Sequence, residues 1–449
     1  MTILPDIALT YDDVLLAPQF SDVASRKTLS VETRLTRKIK MQIPIVSSNM
    51  DTVTEAEMAI TMAREGGIGI IHRFLSVEEQ TAQITRVKKT ESFVVDHPFA
   101  LNMTHTVGDA KRVVDETGTG GILILQKNVV TAPANTTLAN AEKILHEHRI
   151  EKLPLVDEEG RLAGLITLKD IMKQMQYPHA TKDARGRLAV GAAVGVKPRD
   201  MERVECVLEA GADCIVVDIA HGDSKQEIEM LCNIRRRFPG AQIIAGNVAT
   251  ADGTKRLLDA GADAVKVGVG PGSICVTRLV AGSGVPQLTA VIHCVQVARD
   301  YDVPVIADGG IRHPGDAAKA LAAGAETVMI GSLLAGTDES PGLLMTRKGH
   351  KYKASRGMAS TAANRDRKER DGERVAQEDL DEYVAEGVEA AVPYRGKARE
   401  VLTQLVGGIQ SGMSYSGAHN LKEFHEKAIF VRMTSAGLKE SMPHDVEVL

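Results

Sequence analysis

Short, almost unbroken apolar runs, each closed by Gly, Ser, Asp or His, recur along this chain: IPIVSS (43–48), IGIIH (68–72), LAVGAAVG (188–195), CIVVD (214–218), QIIAGN (242–247), AVKVG (264–268), VPVIADGG (303–310) and TVMIGS (327–332). A strand with one wet face alternates apolar with polar residues. These runs do not, so they predict strands covered on both faces, as in a parallel sheet. Helix-length amphipathic stretches lie between most of them.

Three of the predicted strands follow a near-repeat, EAGAD (209–213), DAGADA (259–264) and AAGAET (322–327), in which the glycine ends one helix and the chain turns directly into the next strand. Eight βα units closing on themselves predict an α/β fold, a TIM (β/α)8 barrel with functional residues at the C-terminal strand ends. A doubly wound open sheet is the rival arrangement.

The stretch between the second and third strands is too long for a loop, and it predicts an inserted domain, 93–184, in a barrel made of 1–92 and 185–449. In its second half, 136–175 reads helix, strand, turn at Glu159-Gly160, strand, helix, with Thr137 as N-cap. That order resembles a small α+β regulatory module of the cystathionine-β-synthase (CBS) type. The first half, 94–125, opens similarly but runs into QKNVVTAPANTTL without a second strand-helix close, so the first CBS copy is expected to be truncated. Residues 350–395 are highly charged and weakly periodic and are expected to form a mobile flap, an exposed charged helix being the alternative for 361–383.

Composition narrows the function classes. The 449 residues exceed the roughly 250–300 that one core usually holds, which agrees with two domains. A formal net charge of −5 carries no global basic footprint, so no nucleic-acid partner is expected and any phosphate must be bound locally. The N-terminal MTILPDIALTYDD lacks a secretory pattern and no apolar run reaches the roughly 18 residues of a membrane span, so a cytoplasmic chain with no membrane contact is expected. The five cysteines, at 206, 214, 232, 275 and 294, have neither C-x-x-C nor metal-type spacing, so neither a zinc site nor a disulfide framework is indicated.

One cysteine stands apart. In KVGVGPGSICVTRLVAGSGVPQ (266–287), Gly268, Gly270 and Gly272 precede Cys275, giving a loop whose backbone can approach a ligand closely. Thr277 and Arg278 add a hydroxyl and a fixed positive charge, and positive surroundings favour thiolate, so Cys275 is the candidate nucleophile. Cys206, Cys214, Cys232 and Cys294 lie in helix and strand patterns and are expected to pack as small hydrophobes.

At the ends of the seventh and eighth strands, ADGGIR (307–312) and MIGS (329–332) fall where TIM barrels bind phosphate. Asp308 cannot favour a phosphate and is assigned to ribose hydroxyls, with a helix N-cap as the alternative. At the fourth strand end, DIAHGDS (218–224) presents a carboxylate and polar groups suited to a second ribose-bearing ligand, His221 reading equally as a core histidine.

Together these motifs resemble the IMP dehydrogenase / GMP reductase family over nearly the whole chain. The resemblance rests on LTYDDVLLAP (9–18), VSSNMDTVTE (46–55), GGIGIIHR (66–73), GNVAT (246–250), GPGSICVTR (270–278), ADGGIR (307–312), GSLLAGTDESPG (331–342), RGMAS (356–360), EGVEAAVPYRG (386–396) and GGIQSGMSYSGA (407–418). It implies that Cys275 attacks C2 of a purine nucleoside monophosphate and that hydride passes between C2 and a nicotinamide, a thioimidate linking the half-reactions. Ser48, Met50, Ser273, Asp308, Gly310, Gly331, Ser332, Gly357, Met358 and Glu386 are then expected to hold the nucleotide. Asp218, Ser224, Asn247, Gly268 and Gly270 would serve the cofactor. The carbonyls of Gly268, Gly270 and Cys275, with Glu440 and Ser441, would hold a potassium ion. The resemblance further implies a homotetramer and an adenine or guanine nucleotide effector at the CBS-like domain.

The family runs two reactions. VAGSGVPQ (280–287), VRMTSAGLKESMPHDV (431–446) and the insertion resemble the dehydrogenases, which oxidise IMP to XMP with NAD. Those enzymes use an Arg-Tyr pair in the flap to activate water, and NRDRKERDGERVAQ (364–377) contains none; Ser355 also stands where a tyrosine is expected. Arg365, Arg367, Arg370 or Arg374 could supply the guanidinium, with Arg374 our assignment. The alternative, reduction of GMP with NADPH, would use Thr277 and Glu386 to protonate and release ammonia.

Overall fold

All eight apolar runs are strands. In the computed structural model they are β1 (Ile45–Ser47), β2 (Ile68–Ile71), β3 (Val190–Val194), β4 (Cys214–Asp218), β5 (Ile243–Val248), β6 (Ala264–Val267), β7 (Val305–Asp308) and β8 (Thr327–Ile330). They form one closed parallel barrel, sealed where Val328 of β8 pairs with Ile45 of β1. Residues 3, 6–91, 95–96, 100–102, 104–109, 111–112, 123–125, 129–370 and 383–446 are described.

The barrel interior is filled by alternate strand residues, among them Val46, Ile68, Ile70, Ala193, Val216, Ile244, Ile306 and Met329. Leu35, in the turn of a short hairpin (Thr33–Arg34 with Lys40–Met41), and Met41, on its second strand, plug the end where the strands begin. Intervening strand residues face the outer helices, which explains the unbroken apolar runs.

The near-repeat is a junction device with two parts. Gly211, Gly261 and Gly324 sit at positive φ after helices Asp200–Glu209, Ala251–Asp259 and Pro314–Ala322. The next residue then donates to a carbonyl of the last helical turn (Ala212 to Val207, Ala262 to Leu257, Ala325 to Ala320), a Schellman closure that glycine permits. The acid that follows reaches sideways: Asp213, Asp263 and Glu326 accept from the backbone N–H of Val190, Ile243 and Val305, the first residue of β3, β5 and β7, at 2.8–2.9 Å.

Leu344–Arg347 (β9), His350–Arg356 (β10) and Glu389–Pro393 (β11) form an antiparallel sheet, so the segment expected to be a flap carries a strand at each end. Thr361–Arg370 is a helix, as the alternative reading had it, and 371–382 lie outside the described residues. The buried side chains of β10 include Lys353 and Ser355, with Lys353 donating to the Thr337 and Ser340 carbonyls, so no apolar alternation marks this strand.

The chain divides into two units: Met1–Val87, His179–Thr181 and Ala189–Leu449, which holds the barrel, and Lys88–Pro178 with Lys182–Leu188. In the second unit, Thr137 caps helix Leu138–His148, and Lys152–Val156 pairs antiparallel with Leu162–Thr167 across a turn at Gly160. Helix Leu168–Gln176 follows, and Ala141, Leu145, Leu153, Leu155, Ile166 and Ile171 form the core. In the first half of the insertion a short parallel pair, Ala100–Asn102 with Leu123–Leu125, is described; most of what bears on the truncated copy lies outside the described residues.

Candidate active site

A cavity of about 400 Å³ opens at the C-terminal strand ends and brings together Ser48, Met50, Asp218, Asn247, Gly268, Gly270, Cys275, Thr277, Asp308 and Met358. Its thiol is built by two segments distant in sequence. Val276 N donates to Glu386 O and Val388 N to Ile274 O, so the return arm of the flap is laced to the Cys275 loop. That lacing sets a line of three groups: the Cys275 thiol lies 3.3 Å from Thr277 Oγ1, and the Thr277 hydroxyl donates to Glu386 Oε2 at 2.7 Å. The line can carry a proton from sulfur or ligand toward a carboxylate.

Arg278 interacts electrostatically with Cys275, as its position suggests, and has a second part as well. Its guanidinium donates to the Val269 and Val285 carbonyls at 3.2 and 2.6 Å, bracing the loop from behind. Gly268 is required by crowding: at φ +150°, a Cβ there would stand 2.1 Å from the Asp308 carbonyl oxygen.

Asp218 and Asp308 end β4 and β7, and Lys266, from the middle of β6, lies between them with 2% of its side chain exposed. Its ammonium reaches Asp218 Oδ1 at 2.6 Å and Asp308 Oδ2 at 2.9 Å, and also meets Asn247 Oδ1. Burial pushes the Asp218 carboxyl up, but Lys266 and the Asn49 amide outweigh it and hold the group below the usual carboxylate range. The N-cap alternative for Asp308 is not met: His313 and Asp316 form the capping box of the following helix.

Behind this cluster Glu227 is fully buried, accepting from Gly246 N at 2.7 Å with its second oxygen unpartnered. Burial pushes it up to about 9, with Asp218 adding, while the Gly246 bond and Lys266 oppose. It therefore holds a proton at neutral pH. A folded-state pKa above the unfolded one means that stability is fully present below about pH 4.5 and is lost as pH rises toward 9. Glu227→Gln keeps the Gly246 contact and should remove that loss, stabilising the protein at high pH by at most on the order of 5 kcal/mol. Thermal melting across pH checks this: the two melting curves should converge near pH 5 and separate by pH 9.

The residues read from the sequence as nucleotide-holding lie close together. Ser273 Oγ donates to Ser332 Oγ at 3.3 Å, and a Cβ on Gly331 would lie 3.6 Å from Met50 Sδ and 3.9 Å from Ser48 Cβ. Gly310 lies against the buried Tyr11 ring. Gly357 packs against Gly387, its N–H bonded to Val388 O.

Several expected residues lie elsewhere. Ser224 caps helix Lys225–Arg237, its hydroxyl accepting from Glu227 N, and it does not line the cavity. Glu440 and Ser441 are exposed at a short C-terminal helix and share no hydrogen bond with the Gly268–Cys275 loop among the described residues. Arg374 lies outside the described residues. His221 is exposed, so the core-histidine reading fails, and Cys232 is exposed where packing was expected. Cys214 and Cys294 are buried and Cys206 is partly so.

Sequence reasoning missed Lys266, which reads as one residue of an apolar run, and it missed Tyr383. The Tyr383 hydroxyl donates to Ala359 O at 3.2 Å, and the ring lines the cavity beside Arg367 and Asn364. Arg367 is held by Asn364 Oδ1 at 2.7 Å, and its charge acts on the Tyr383 phenol. An arginine and a tyrosine therefore meet here across the flap rather than as neighbours in sequence. Arg73, Ile219 and Arg367 also line a second cavity of about 590 Å³ that reaches Lys197, Arg199 and Gln226, so the two are contiguous.

A parallel (β/α)8 barrel with a cysteine loop after β6, carboxylates after β4 and β7 and a flap laced to the thiol defines an oxidoreductase of purine nucleotides, and the chain belongs to the IMP dehydrogenase / GMP reductase family, whose domain matches residues 8–444. It is 49% identical to the inosine-5'-monophosphate dehydrogenase of Nitrosopumilus maritimus over 98% of both chains, and 50% identical to that of Aquifex aeolicus over 98% of this chain and 96% of that one. Among solved structures, a cysteine-to-alanine variant of GMP reductase from Trypanosoma brucei in complex with guanosine 5'-monophosphate superposes with a TM-score of 0.90, at 45% identity and 98% coverage of both chains. No described helix is long and apolar enough to cross a membrane.

Proposed function

We propose that this protein oxidises IMP to XMP with NAD, through a covalent bond from Cys275 to purine C2. The observation that carries the reading is the Cys275–Thr277–Glu386 line beside a cavity that the Asp218 and Asp308 carboxylates also line. The dehydrogenase relatives, alike over nearly the whole chain, support the direction of the reaction.

The cysteine sulfur adds to C2, and the C2 hydrogen departs with its electron pair, leaving a thioimidate. When bound, the nicotinamide accepts that hydride. Thr277 and Glu386 take the proton, and water then displaces the sulfur. Arg367 and Tyr383 line the cavity where that water must approach, so we assign them, in place of Arg374, to orient and deprotonate it. Asp308 accepts from the nucleotide ribose and Asp218 from the nicotinamide ribose, while the phosphate rests among Ser48, Ser273, Gly331 and Ser332. The contiguous second cavity, of about 590 Å³ with Lys197 and Arg199 on its wall, would receive the remainder of the dinucleotide.

The carbonyls of Gly268, Gly270 and Cys275 form a neutral oxygen donor set suited to potassium. Gly268 O already accepts from Asn247 Nδ2 at 2.7 Å, leaving one lone pair for an ion. We assign the second unit to a CBS-type regulatory role with a purine nucleotide effector, and the protein to a homotetramer.

One observation favours a second reading, reduction of GMP with NADPH: the likeness to the Trypanosoma brucei GMP reductase extends over the entire chain. Absorbance of the reduced nicotinamide separates the two. It should rise with IMP and NAD; a fall with GMP and NADPH, and no change in the first mixture, would overturn our reading.

A further inference from the structure

Lys266 is the most buried charge in the site and has no role in the chemistry so far described. Its three ammonium hydrogens are all spent, on Asp218 Oδ1, Asp308 Oδ2 and Asn247 Oδ1. Asn247 in turn donates to Asp308 Oδ2 at 2.9 Å, while Asn49 donates to Asp218 Oδ2 at 2.9 Å. Asp218 is thus held through both oxygens and Asp308 through Oδ2, while Asp308 Oδ1 accepts no hydrogen bond from the described residues at the wall of the cavity.

Two carboxylates reached by one ammonium and opening on one cavity repel each other unless that ammonium stays in place. We propose that Lys266 is a positioning residue that keeps the Asp218 and Asp308 carboxylates correctly turned to accept the hydroxyl pairs of two sugars, one on each ligand. The inference rests on the assignment of Asp308 to the nucleotide ribose made above. Lys266 borders the cavity, but with 2% of its side chain exposed and all three ammonium hydrogens engaged it has none to offer either ligand.

Without the lysine, the two carboxylates lose their shared donor, and the repulsion between them turns them away from the positions in which they accept from a diol. The other charged and titratable groups facing the cluster do not rescue it. Glu227 behind it is itself neutral, Tyr11 and then Asp316 stand behind Asp308, and Arg73 acts on Asp218.

The test compares IMP with its 2',3'-dideoxy analogue by equilibrium binding to the full-length protein. In wild type, removing the diol should weaken binding, and in Lys266→Met the affinity for IMP should fall roughly 30-fold while that for the dideoxy nucleotide stays unchanged. The ratio of the two affinities is thus the readout, and a merely structural role would not move it. Lys266→Arg should restore most of the ratio. If Lys266→Met does not fold, Lys266→Gln serves, because it too removes the charge. Equal loss for both nucleotides, or none, overturns the proposal. If wild type itself binds both nucleotides equally, the Asp308 assignment fails first, and the proposal with it.

Discussion

Cys275→Ala is expected to lower kcat by roughly 10⁴-fold or more, while IMP still binds to within about threefold. The thiol supplies the bond that splits one difficult displacement into a hydride departure and a hydrolysis. The remaining side chain cannot attack C2, and water has no comparable path to it. Binding should survive because the groups assigned to the phosphate and ribose, Ser48, Ser332 and Asp308, are placed by β1, β8 and β7, and the cysteine loop is braced by Arg278. Stopped-flow absorbance and equilibrium binding on the same preparation measure both quantities. A variant with near-normal turnover contradicts the covalent route outright.

Glu386→Gln is the second large effect. The carboxylate accepts the Thr277 hydroxyl at 2.7 Å, and glutamine preserves that acceptor while losing the capacity to take a proton. The flap should keep its place, since the Val276–Glu386 and Val388–Ile274 bonds are made by the backbone. The expected result is a fall in kcat of about 10²–10³-fold with KM nearly unchanged, the range that a positioned acid or base contributes. A rise in KM alone would mean that Glu386 only binds substrate.

The barrel was legible because its strands are covered on both faces, which writes each as an unbroken apolar run. The glycines of EAGAD, DAGADA and AAGAET were legible because a helix must be closed before a strand can begin. The acids of the same repeats were not, since what they bind is a backbone N–H of another strand. The same distance in sequence hid Lys266, whose partners come from β4, β5 and β7. Ser224 was misread although its signal was present: Ser-Lys-Gln-Glu at 224–227 is a helix start, and the hydroxyl caps it. The β9–β11 sheet escaped because β10 buries a lysine and a serine, and Tyr383 escaped because it meets Arg367 only through the fold of the flap.

The central claim is that a purine becomes bound to one named sulfur during turnover. Acid quenching of the protein with IMP and NAD, followed by proteolysis and mass spectrometry, tests it most directly. The peptide carrying Cys275 should bear a nucleotide adduct that is absent without NAD. An unmodified Cys275 under conditions of continuing turnover, or an adduct on Cys206, Cys232 or another cysteine, would contradict it.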